Sequence, residues 1–152
     1  MKKLALVGLS VMALAGCSSI TTSEVDWSAD ATAMKAATDV TLRSNLWLNK
    51  MPMIGDERNE ETLHGALYLE SSSYLPAELD VTQVVLRQGT ETWSIYADDV
   101  ELRTHSATAW EVAFKWQLEI DPEQPVDVAV ELIKEEKTEW VVNNQVKLDV
   151  VY

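Results

Sequence analysis

The chain has 152 residues, a one-domain length, and sets 12 basic against 25 acidic residues for a formal net charge of −13. A field of that sign repels nucleic acid and anionic headgroups and favours solubility. No glycine-rich phosphate loop and no basic aromatic surface accompanies it, and a single cysteine excludes an intrachain disulfide.

Lys2 and Lys3 open the chain, Leu4 to Ala15 is an apolar run broken only by Gly8 and Ser10, and Leu14-Ala15-Gly16-Cys17 follows. A membrane-spanning helix needs about 20 apolar residues. A shorter run after basic residues, ending in small ones, is the layout of a secretory signal. Leu14-Ala15-Gly16-Cys17 resembles the bacterial lipobox. The resemblance implies a bacterial lipoprotein: cleavage between Gly16 and Cys17, a diacylglyceryl group on the Cys17 thiol, and acylation of the new amine. Two or more chains anchor stably, at about 0.8 kcal/mol per buried methylene. Ser18 and Ser19 stand where an Asp would favour inner-membrane retention. The implied address is therefore the cell envelope, anchored in the outer membrane and facing the periplasm. Without residues 1–16 the mature chain loses two lysines and its net charge becomes −15.

Residues 17–37 read as the lipidated N-terminus and a flexible tether, rich in Ser, Thr, Ala and Asp, with Val25 and Trp27 as its main large apolar residues. A short helix over 28–37, capped by Ser28 or Asp30, is compatible with this stretch. A flexible chain of about twenty residues spans roughly 25 Å.

From Thr38 onward period-two alternation dominates, which marks half-buried strands. Val40, Leu42, Leu46 and Leu48 share a face interrupted by Ser44, and Leu63, Leu67 and Leu69 share another. Val84 and Leu86 lead into a turn at Gln88-Gly89, with Trp93 and Ile95 beyond it. Val100 and Leu102 follow a turn at Asp98-Asp99. Trp110, Val112, Phe114, Trp116, Leu118 and Ile120 make the clearest strand face, with Glu111 and Lys115 opposite. Val126 to Leu132, Trp140 with Val142, and Val146 to Tyr152 repeat the pattern. Polar connections fall at 55–61, 71–76, 121–125, 134–137 and Asn143-Asn144. The expected fold is all-β: an antiparallel immunoglobulin-like β-sandwich of about seven strands over residues 38–152. A transmembrane barrel shares the alternation and the C-terminal aromatic, but barrels seldom carry a lipobox, and a soluble core also explains the alternating faces.

Trp93, Trp110, Trp116 and Trp140 lie in register with aliphatic residues and read as core; a sugar-stacking platform is the alternative. Trp47 sits between Leu46 and Leu48, so alternation turns it outward with Asn45 and Asn49. With Met51 and Met53 nearby it forms a candidate partner-binding patch. Met51, Met53 and His64 are also the candidate metal ligands, because thioether and imidazole suit Cu(I), although methionine is an ordinary core filler. No nucleophile elbow is present, and His105-Ser106 adjacency specifies no triad. The reading is a non-enzymatic binding or accessory module for another envelope component, without a cofactor; a copper or small-ligand lipoprotein is the alternative. In length and lipobox the chain is similar to small accessory lipoproteins of secretion machines, such as the type VI secretion lipoprotein. That parallel concerns architecture, which does not carry function.

Overall fold

The computed structural model describes residues 24–33, 39–51 and 62–152. The lipobox, the Cys17 anchor position, Met53 and the 55–61 connection lie outside the described residues. Among the described residues no helix is long and apolar enough to cross a membrane.

The described residues form ten strands: β1 (Thr32–Ala33), β2 (Val40–Asn49), β3 (Thr62–Ser71), β4 (Asp80–Gln88), β5 (Glu91–Tyr96), β6 (Val100–Ser106), β7 (Ala109–Gln117), β8 (Val126–Lys134), β9 (Lys137–Val146) and β10 (Leu148–Val151). They form two sheets. The larger runs β2–β3–β7–β6, with β1 and β10 both on the outer edge of β2; the smaller runs β5–β4–β8–β9. Alternation decides what lies between them. Leu42, Leu46 and Leu48 of β2, Leu63, Leu67 and Leu69 of β3, and Val112 and Phe114 of β7 meet Val84, Leu86, Val128, Val130, Leu132 and Val141 in one continuous buried core. The fold is thus the expected all-β sandwich, with three departures.

The first concerns pairing. β10 runs parallel to β2, with Leu148 opposite Leu46 and Val150 opposite Leu48, so the sandwich is not wholly antiparallel. The chain leaves the smaller sheet at the end of β9 and enters the larger one across Lys147. Asn143-Asn144 is therefore no hairpin. β9 continues through it to a bulge where Gln145 takes φ 58° and its N–H donates to Asp127 Oδ1 at 3.0 Å.

The second departure is the N-terminal segment. Residues 24–33 do not hang free, and the described part holds strand β1, not a helix. Val25, Trp27 and Ala29 pack on Val85, Ala129, Val142 and Trp140, which form a second apolar cluster on the outer face of the smaller sheet. Asp26, Ser28 and Asp30 alternate outward. The Trp27 ring carries the Arg87 guanidinium 4.2 Å above its centroid, and its carbonyl accepts a bond from Asn144 Nδ2 at 3.1 Å. The Asp30 carbonyl accepts from Val142 N and the Ala31 carbonyl from Leu42 N, so this segment stitches the two sheets together along one side. Residues 24–33, within the stretch read as tether, thus belong to the packed domain.

The third follows from the second. Trp140 and Val142 face outward beneath that segment, while Val141 enters the main core. Trp110 is buried, and Trp93 and Trp116 are partly buried against the main core as expected.

The turns match their chemistry. Gly89 takes φ 59° in the two-residue β4–β5 hairpin, a conformation that costs glycine least. The β8–β9 hairpin is also a two-residue turn but puts both of its residues at positive φ without the favoured types: Glu135 and Glu136 sit at φ 49° and 63°. Type I′ turns prefer Asn-Gly because other L-residues are strained there. Replacing Glu135 by Asn and Glu136 by Gly is expected to raise stability by about 1–2 kcal/mol. Urea unfolding measures it; no gain would mean that the turn carries no strain.

Candidate functional site

The middle of the smaller sheet's outer face, over Val85, Ala129 and Val142, is covered by the N-terminal segment. The outer face of the larger sheet has no such cover among the described residues, and its side chains fall in rows across β2, β3, β7 and β6. Trp47, His64 and Lys115 form one row, Asn45, Ala66, Ala113 and Glu101 the next, and Arg43, Tyr68, Glu111 and Arg103 a third. Consecutive rows are two residues apart, or about 7 Å. The middle row is low because two of its members are alanines, so a shallow, open depression of about 510 Å³ lies between two ridges. Asp98 and Asp99, from the 3-10 turn that joins β5 to β6, stand at its rim.

Each ridge is held by its own contacts. In the first, the Trp47 indole stacks on the His64 imidazole with centroids 5.4 Å apart and planes 11° from parallel. In the second, the Arg43 guanidinium lies 4.3 Å above the Tyr68 ring and pairs with Glu70 at 3.0 Å. Glu111 is almost covered: its Oε2 lies 2.8 Å from His105 Nε2 and 3.7 Å from Arg103 Nη1, and Arg103 also reaches Glu101 at 2.9 Å. The Arg103 pairing holds the Glu101 carboxyl below its ordinary range, chiefly through the hydrogen bond. Glu70, Glu101 and Glu111 on this face each have a basic neighbour.

His64 is shifted the other way. Desolvation, and then the adjacent Lys115 ammonium, lower its pKa from the ordinary 6.5. As pH falls through 6.5 the unfolded chain takes up this proton before the folded one does. His64 therefore leaves stability untouched above pH 6.5 and erodes it as pH falls from there through its folded-state pKa. Lys115→Met is expected to move the His64 titration, followed by NMR, upward without reaching 6.5, since the desolvation remains. An unchanged midpoint would show that the ammonium is not felt.

The candidates named from sequence are only partly brought together. Trp47 and His64 are in contact, which no linear spacing signalled. Met51 is 52% exposed just past the end of β2, about 13 Å along the strand direction from Trp47, and Met53 falls outside the described residues. Among the described residues the imidazole's close ring neighbour is the Trp47 indole. Among the described residues no group of three or more His, Cys, Asp or Glu side chains is placed to hold a metal ion. Tyr68, Arg43, Arg103, His105 and Glu111 were not singled out as a binding surface; their alternation marks them as outward-facing, and only strand order makes them neighbours.

No protein-family model matches the chain, and comparison with curated proteins and with solved structures finds no match.

Proposed function

We propose that the protein is a lipid-anchored component of the bacterial cell envelope, and that its sandwich binds another envelope component through the outer face of the larger sheet, without catalysing a reaction. The observation that carries this is Leu14-Ala15-Gly16-Cys17 after a basic start and a short apolar run, which resembles the lipobox. The division of the two faces supports it: one is covered across its middle by the chain's own N-terminal segment, the other offers the Trp47–His64 and Arg43–Tyr68 ridges with a depression between them. Aromatic and arginine side chains on a pre-formed scaffold are what protein-binding surfaces concentrate. The outer membrane, with the domain facing the periplasm, is the proposed location.

Cys17→Ser tests the anchor. The wild type is expected to take up labelled palmitate and to sediment with membranes, and the variant to lose the label and enter the soluble fraction. A wild type without label, or a bare chain by intact mass, would overturn the proposal.

A further inference from the structure

The side of the sandwich opposite the N-terminal segment is formed by two edge strands, β5 of the smaller sheet and β6 of the larger. Among the described residues β6 pairs only with β7, so one row of its backbone donors and acceptors faces outward. Exposed edges are normally blunted, because they template pairing with a further strand. Here the exposure reaches the apolar side as well. Leu102 points toward the inner face opposite Val112 yet stays 40% exposed. Val100 and, across the seam, Trp93 are only partly buried.

We propose that β6 pairs with β6 of a second copy of this chain, antiparallel about a two-fold axis through Leu102. The strand's own sequence argues for this occupant. With Leu102 opposite its symmetry mate, Glu101 faces Arg103 of the other copy, Arg103 faces Glu101, and Val100 faces Thr104. Both charged pairs are of opposite sign, and the apolar residues meet on the inner side, as a stable cross-strand arrangement requires. A register centred on Arg103 would set two guanidinium groups against each other instead. The ladder closes at Thr104, where the β6–β7 register shifts before Ser106 and the edge bends away. Within one copy Arg103 already bonds Glu101 at 2.9 Å, two residues back on the same face, so pairing exchanges this contact for its equivalent across the axis. The interface is self-complementary, as two-fold symmetry demands, and it joins the two larger sheets edge to edge. It does not depend on the lipid anchor.

Sedimentation of the full chain in mild detergent tests the pairing, with circular dichroism as the check on folding. The wild type is expected to dimerise. Glu101→Arg or Arg103→Glu alone is expected to weaken the dimer at least about tenfold, because symmetry doubles each like-charge contact. The double exchange Glu101→Arg with Arg103→Glu restores it. Under oxidising conditions Leu102→Cys is expected to give a covalent dimer that wild type and Glu101→Cys do not, since opposed residues lie within disulfide reach. A monomeric wild type would overturn the proposal. So would a dimer indifferent to the single changes, or a double exchange that fails to restore it.

Discussion

Gly65→Ala is expected to destabilise the domain by about 2–3 kcal/mol, and Gly65→Val to do so more severely. Gly65 lies in the middle of β3, buried, with Leu46 on one neighbouring strand and Phe114 on the other. A methyl group there would overlap the Phe114 ring at Cε1 and Cζ. The ring occupies the space the missing side chain leaves, an aromatic covering a strand glycine from the neighbouring strand. It cannot simply swing away, because Phe114 is 5% exposed and packed within the main core. The effect reaches the outer face: Gly65 lies between His64 and Ala66, and both Gly65 and Phe114 line the depression. Urea unfolding measures the loss, and the NMR signals of the His64 ring, stacked on Trp47, report displacement of the first ridge. Phe114→Leu should be costly alone but cost less in the Gly65→Ala background, a coupling of neighbours that a double-mutant cycle isolates. If Gly65→Ala unfolds at the wild-type midpoint, the ring is not wedged there.

The strands were legible because each buried face repeats every second residue, and β2, β3, β7 and β8 fall where that alternation places them. The segment 24–33 was misread for a physical reason. Val25, Trp27 and Ala29 alternate over too short a stretch, among too many small polar residues, to stand out from a tether. The signal lay elsewhere, in Val84-Val85-Leu86, Val128-Ala129-Val130 and Trp140-Val141-Val142. Three consecutive apolar residues on adjacent strands mean a sheet covered on both faces, and the only question was by what. The continuation of β9 past Asn143-Asn144 was hidden because a bulge and a hairpin call on the same turn-forming residues. The candidate face was half legible. Alternation turns Trp47, His64, Tyr68 and Glu111 outward, but their proximity depends on β7 lying beside β3, a long-range pairing that no local pattern encodes.

Trp27→Ala is expected to cost about 2–3 kcal/mol and to free the N-terminal segment. The loss combines the burial of a partly covered indole, about 2 kcal/mol, with the cation–π contact to Arg87, about 1 kcal/mol. The contact is well supported, because Arg87 is itself held by Asp127, with Nε at 3.1 Å and Nη2 at 2.7 Å from Oδ2. Limited proteolysis separates this from a general loosening. Cuts should concentrate near residues 24–33 in the variant while the β2–β10 body resists. A double-mutant cycle with Arg87→Met should recover a coupling of about 1 kcal/mol. For the proposed anchor at Cys17 the consequence is geometric. With the segment docked, seven residues separate Cys17 from Glu24, a span of at most about 25 Å. Once released as far as Asp39, the same chain could extend to about 75 Å. On the proposed anchor at Cys17, docking would hold the sandwich closer to the bilayer than a released segment does. Should Trp27→Ala alter neither stability nor proteolysis, the segment is not seated on the smaller sheet.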